Sequence, residues 1–179
     1  MYVTSGLEIF IDTNIFLYSI TGHPKYGIWC EEFLERVKSG DIKGKISIIV
    51  LNEFLHKLVI GEIAERKSIK PIEAIRYIKK NPKVLGTLHA YEFVEEVENN
   101  YNLTVINITK ANFSLAHKLM KEKHLLSNDA LHLAVMRQEG IINIATKDVD
   151  FDSIEGIRVW KPQENKTKIN KSFIDPITQ

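Results

Sequence analysis

Apolar residues fall in short blocks along this chain, and their spacing switches between continuous and helical. EIFI (8–11) is continuous and reads as a short buried strand that stops at Asp12. Apolar positions resume at Ile15, Phe16 and Ile20, the spacing of a helix that Asp12 or Thr13 can cap. IWCEEFLERVKSG sets Trp29, Cys30, Phe33, Leu34 and Val37 on one helical face and stops at Gly40. KISIIV (45–50) is β-branched and continuous, which predicts a second strand. A helix starting near Asn52 then turns Phe54, Leu55, Leu58 and Val59 inward. Pro71 suits the first turn of the helix PIEAIRYIKKN, and Pro82 marks a boundary. Val84, Leu88, Tyr91, Val94 and Val97 predict one amphipathic helix after it. LTVINI (103–108) reads as a third strand. Thr109 caps the helix KANFSLAHKLMKEK, and Ser127 or Asn128 caps SNDALHLAVMRQEG, which ends at Gly140. IINIAT (141–146) is a fourth strand and GIRVW (156–160) a fifth.

Strands alternating with helices predict an α/β fold: three layers, α/β/α, around a central parallel sheet of four to five strands. The stretch from about 60 to 100 has helices and no strand, so it is expected to protrude from the sheet. One domain is expected over 1–160. Residues 161–179 form a polar tail, expected to be frayed or docked only at its tip. With 44% hydrophobic residues in 179, the chain has enough apolar surface for a core. A net charge of +1 excludes a polybasic nucleic-acid binder and an acidic disordered chain. The single cysteine, Cys30, excludes an internal disulfide and fits a reduced compartment. Neither a signal peptide nor a long apolar span is visible, which makes the cytoplasm the expected location.

In parallel α/β sheets, function gathers at the carboxyl ends of the strands. Asp12 follows the first strand directly, and Glu53 lies in the expected first turn of the helix after the second. Asp129 lies in the first turn of SNDALHLAVM, and Asp148 and Asp150 follow the fourth strand. Each has an ordinary explanation alone. Asp12 suits an N-cap, a carboxylate in a first helical turn gains roughly 0.3–1 kcal/mol from the helix dipole, and Asp favours turns. All of them on one sheet edge is a coincidence those explanations do not cover. Clustered carboxylates repel unless a cation joins them, and an all-oxygen set suits Mg²⁺ or Mn²⁺. Zinc is disfavoured, since one cysteine and scattered histidines offer no ligand pair. The chemistry this set predicts is phosphodiester hydrolysis, with the cation activating water and stabilising the leaving oxygen.

The motifs FIDTNIFLY, VLNEFLHKL, LLSNDALHLAVM and ATKDVDFD, in this order over residues 8–160, resemble the PIN-domain nucleases and, among them, VapC-like toxins of toxin–antitoxin pairs. The resemblance implies a PIN-like sheet and a Mg²⁺- or Mn²⁺-dependent ribonuclease. Asp12, Glu53, Asp129 and Asp148 would be its catalytic, metal-holding acids, with Asp150 a further ligand. Thr13, Asn14 and Thr146 would be supporting residues, and Asp152 is read as a turn residue. It also implies an RNA substrate, an antitoxin partner and a homodimer, with no membrane. The chain is longer than compact relatives at 60–100 and in the tail. RNA-processing PIN nucleases and an inactive PIN-like RNA-binding or assembly module carry the same fold. A receiver-type phosphotransfer domain is a further alternative, but it would not need Glu53 and Asp129.

Basic residues from 60 to 83, Arg66, Lys67, Lys70, Arg76, Lys79 and Lys80 among them, offer a phosphate-contact surface or simply a solvated face. His132, one turn after Asp129, is weighed as a general base, although a cation-activated water needs none. His56 receives the same reading relative to Glu53. Trp29, Phe33, Tyr91 and Phe93 read as core or dimer contacts.

Overall fold

The structure, a computed structural model, describes residues 3–165. Its elements run β1 (Glu8–Ile11), α1 (Thr13–Ile20), α2 (Gly27–Lys38), β2 (Lys43–Ser47), α3 (Ile48–Lys67), α4 (Pro71–Lys80), a 3-10 helix (Pro82–Thr87), α5 (Ala90–Asn100), β3 (Leu103–Ile106), α6 (Lys110–Lys123), α7 (Ser127–Gln138), β4 (Asn143–Ala145) and β5 (Arg158–Trp160). The strands form one parallel sheet in the order β3-β2-β1-β4-β5.

Ile9, Phe10 and Ile11 of β1 are all fully buried, because a parallel sheet is covered on both faces. The Phe10 ring lies 5.4 Å from the His132 ring of α7. Its neighbour Ile11 points the other way, towards Val37 of α2 across Gly44. Right-handed crossovers give the same assignment: α1 to α5 on one face, α6 and α7 on the other. The chain runs outward from β1 through β2 to β3, then returns to place β4 on the other side of β1. The direction reverses between β1 and β4, and α/β folds place their sites at such a switch point. Asn143 ties this half of the sheet together. It donates to the Glu8 carbonyl at 3.1 Å and accepts the Trp160 indole N–H at 3.1 Å.

Several boundaries differ from the sequence reading. The run Ile48-Ile49-Val50 is helical rather than strand, so α3 begins at Ile48 and not near Asn52. A short continuous apolar run cannot tell a buried strand from a buried helix turn. Here Val50, Leu51 and Phe54 are the buried positions, a helical spacing. Glu53 therefore lies in the second turn of α3, not its first. The helix expected through Val84 and Leu88 is interrupted. Its first part is the 3-10 helix, Leu88 has extended backbone, and α5 starts at Ala90. The Glu62 carboxylate accepts the backbone N–H groups of His89 (3.0 Å) and Ala90 (2.9 Å), and so fixes that start. Strands β3, β4 and β5 are shorter than the runs that announced them. Thr109 caps α6 as expected, in a reciprocal pair with Asn112.

The helical protrusion is present and has its own small core. Ile63, Ala74, Leu88 and Ala90 are buried together, with Val59, Tyr77 and Val84 packed around them. In the main core, Cys30 and Phe33 are buried and Trp29 stacks on Phe33 at 5.2 Å, whereas Tyr91 and Phe93 on α5 lie outside it and are exposed. Burial pushes the Cys30 thiol up to about 12, which suits a core residue and not a reactive one. Of the tail, Lys161 to Asn165 are described, and the Asn165 amide donates to the Pro24 carbonyl at 2.9 Å. The docking expected at the tail's tip lies outside the described residues.

One close approach gives a test of this packing. A Cβ on Gly27 would lie 2.9 Å from the Gly22 backbone carbon and 3.2 Å from the Tyr18 carbonyl oxygen, both backbone atoms that cannot turn aside. Gly27→Ala is expected to destabilise the fold by roughly 1–3 kcal/mol, the usual cost of overpacking. A urea midpoint equal to that of the unmodified protein would show that the α1–α2 turn is looser than described.

Candidate metal centre

Asp12 ends β1 at the switch point, where its backbone N–H donates to the Ala145 carbonyl at 3.0 Å. It is the positional N-cap of α1, yet its side chain caps nothing. Instead Oδ2 accepts the Thr146 hydroxyl at 2.5 Å and the Asn14 amide. Asn14 also donates to Thr146 Oγ1 at 3.0 Å, and its Oδ1 accepts the Lys147 N–H at 3.1 Å. The expected supporting residues Asn14 and Thr146 are thus the stitch between the carboxyl ends of β1 and β4. Burial raises the Asp12 carboxyl above the ordinary carboxylate range, and the Thr146 hydrogen bond opposes that shift.

Glu53 stands beside it and is surrounded by donors. The Thr13 hydroxyl donates to Oε2 at 2.8 Å, the Asn128 amide donates to Oε1, and His132 Nε2 lies 3.5 Å from Oε2. Burial alone would raise this carboxyl. His132, Thr13 and Asn128 outweigh it and hold the group at about 2. Asn128 is not the cap of α7. That position falls to Leu126 with no side-chain bond, which frees the Asn128 amide to cross to α3.

The other acids form a second group. Ligand atoms of Asp129, Asp148 and Asp150 lie within 4.8 Å of one another, as do those of Asp12, Glu53 and His132. Burial first, then the charges of Asp148, Asp12 and Asp150, push the Asp129 carboxyl up to about 6, with His132 opposing. The Asp148 N–H donates to Thr146 Oγ1 at 2.9 Å, and Asp148 Oδ1 accepts the Asp150 N–H at 2.9 Å. Lys161 braces this loop. Its ammonium donates to the Asp148 carbonyl at 2.5 Å and pairs with Asp152 at 2.8 Å, so Asp152 serves as an anchor of the turn. The oxygen-only trio, forced together with like charges uncompensated, fits a hard divalent cation.

The remaining candidates lie elsewhere. Arg66 is engaged with Glu62 and with the Thr87 carbonyl, and the Lys67 ammonium sits 5.1 Å over the Tyr77 ring. Lys70 leads into α4, where Arg76, Lys79 and Lys80 are exposed on the protrusion. Lys57, on α3 one turn after Glu53, is nearer, and its charge acts on Asp12. His56 is exposed. Sequence reasoning missed the roles of Asn128 and Lys161. The first was legible as a polar residue beside Asp129, whereas nothing in the pattern marked the second.

A family model described as PIN domain matches residues 9–157. The chain belongs to the PIN domain family. Ribonuclease VapC2 of Methanocaldococcus jannaschii is 24% identical over 152 residues, covering 85% of this chain and 92% of that protein. Ribonuclease VapC13 of Mycobacterium tuberculosis is 26% identical over 151 residues, covering 84% and 97%. Among solved structures, VapC20 of Mycobacterium tuberculosis, described as a sarcin-ricin loop cleaving toxin, aligns with a TM-score of 0.58 at 18% identity over 84% of this chain and 98% of its own. VapBC2 of Rickettsia felis, bound to a DNA fragment from its promoter, aligns with a TM-score of 0.54 at 19% identity, covering 87% and 98%. At such identities the structural likeness speaks for the fold alone. The matched PIN segment contains all five acids, from Asp12 to Asp150.

The like charges in this PIN domain have a measurable cost. A carboxyl raised from 3.8 to about 6 contributes stability in full below pH 3.8, and that contribution is lost as pH rises through about 6. At pH 8 the ionised Asp129 then destabilises the metal-free protein, by less than the full shift implies because solvent screens this half-exposed group. In EDTA, Asp129→Asn is expected to melt above the unmodified protein near pH 8, with the gap narrowing towards pH 5. A variant that melts at or below it at both pH values would contradict this electrostatic picture.

Proposed function

We propose that this protein is a Mg²⁺- or Mn²⁺-dependent endoribonuclease, the toxin of a toxin–antitoxin pair that acts in the cytoplasm. The observation that carries the reading is the trio Asp129, Asp148 and Asp150 beside Asp12 and Glu53 at the switch point of a PIN sheet. Relatives named VapC ribonucleases, and similar structures described as toxin–antitoxin complexes, support the substrate class and the antitoxin partner. A homodimer follows from the same reading.

Asp12, Glu53, Asp129 and Asp148 would hold the cation, with Asp150 as a further ligand. When bound, a divalent cation neutralises charge at the phosphodiester and lowers the pKa of a water. The protein's own part is placement. Thr146 and Asn14 fix the Asp12 carboxylate, Thr13 and Asn128 fix Glu53, and Lys161 with the Thr146 hydroxyl fixes the Asp148 loop. Without a cation the acids repel a phosphate. Approach of the polyanion falls to the cations around the site: Lys57 nearby, and Lys70, Arg76, Lys79 and Lys80 further out. Arg66 and Lys67 add positive potential to that side, although their side chains are already engaged.

Cleavage of an end-labelled single-stranded RNA in EDTA, Mg²⁺ or Mn²⁺ tests the proposal. Cutting is expected with either cation and not in EDTA. Asp12→Asn, Glu53→Gln, Asp129→Asn and Asp148→Asn are each expected to fall to the EDTA background while remaining folded. An active Asp129→Asn enzyme would sink the site as drawn. A folded protein that binds no Mn²⁺ and cuts no RNA would favour the inactive RNA-binding module instead.

A further inference from the structure

His132 is 2% exposed, yet its buried Nδ1 has no hydrogen-bond partner among the described residues. A leucine or phenylalanine would fill this space against Phe10 without stranding a polar atom, so packing does not account for a histidine here. Its other nitrogen supplies the reason. Nε2 lies 3.5 Å from Glu53 Oε2, the oxygen that also accepts the Thr13 hydroxyl at 2.8 Å. An N–H on Nε2 points at an ionised acceptor, and the tautomer that provides it leaves Nδ1 as a bare lone pair, the less costly of the two groups to strand. The 3.5 Å separation is long for a hydrogen bond, so the contact acts chiefly through electrostatics, which are strong in this water-poor setting.

The placement follows from α7. Asn128, Asp129 and His132 fall within its first two turns, so one rigid helix offers an acid to the second trio and two donors to Glu53. Ligand atoms of Asp12, Glu53 and His132 lie within 4.8 Å of one another, so the imidazole sits against the acids at this sheet edge. We propose that His132 is a positioning residue of the cation site: from beneath, through Nε2, it holds the Glu53 carboxylate in the orientation that a cation requires. This rests on the site reading given above. His132 touches no reacting atom in this scheme.

Mn²⁺ binding to the full chain, followed by EPR titration, separates the possibilities. The unmodified protein is expected to bind. His132→Leu is expected to weaken binding 10–100-fold, the usual cost of losing a partner of a metal ligand, while His132→Gln, whose amide N–H reaches nearly the same point, stays within about threefold. In a Glu53→Gln background, His132→Leu should cause no further loss. Near-UV circular dichroism checks the fold, and His132→Phe replaces the leucine variant if that one does not fold. Unchanged Mn²⁺ affinity in the leucine variant overturns the inference, as does an equal loss in folded Leu and Gln variants. Imidazole-nitrogen modulation in the Mn²⁺ spectrum would overturn it too, by making His132 a direct ligand. Failure of the unmodified protein to bind Mn²⁺ would defeat the site reading itself, a distinct result.

Discussion

The half-buried carboxylate of Asp12 is the constraint around which the rest is arranged. It ends the central strand where water is scarce, and its desolvation must be offset by fixed donors. Those donors come from two directions. Asn14 belongs to the helix that follows the same strand, and Thr146 ends the neighbouring strand. Because Asn14 also accepts the Lys147 N–H, one small network joins β1 to β4, the seam at which the sheet reverses its order. The seam of the fold and the floor of the site are one set of hydrogen bonds. Disturbing it would loosen a three-residue strand, β4, which has little pairing of its own to spare.

On this floor the acids divide into two electrostatic regimes. Glu53 has donors on both oxygens and stays ionised down to about 2, so the protein alone satisfies it. Asp129 is pushed up to about 6 by burial and by the acids it faces, so the protein alone does not. Such asymmetry is what a preformed cation site needs. One side is rigid and already charged, and the other is relieved only when positive charge arrives. Helix α7 takes part in both regimes, since it carries Asp129 together with the Asn128 and His132 that steady Glu53.

Much of this was legible in the sequence because the signals were local. The break at Asp12, the Thr109 cap and the proline at the start of α4 each depend on a few neighbouring residues, and the structure keeps them. The acids after β1 and β4 followed from the rule about strand ends. The misreadings have physical causes too. Ile48 to Val50 carried no period with which to tell strand from helix. Leu88 lay on an apolar stripe, but Glu62, in another helix, decides where α5 starts. Asn128 was visible beside Asp129, but its partner Glu53 lies 75 residues away, and no local pattern marked Lys161 as the brace of the Asp148 loop.

Charge counting shows the same limit from another side. The segment from 60 to 83 has a local excess of basic residues, yet part of that excess is spent inside the protrusion. Arg66 joins Glu62 to the Thr87 carbonyl and so closes α3 onto the 3-10 turn, and Lys67 lies over Tyr77 of α4. An arginine whose planar donors already bridge two elements adds to the long-range potential, but it has less left for a directed bond to phosphate. The surface splits accordingly. Exposed cations on α4 act over a Debye length of about 10 Å, a long-range field without directed bonds. At the switch point itself, by contrast, the clustered acids, Lys57 and the braced loop after β4 are held within one rigid frame.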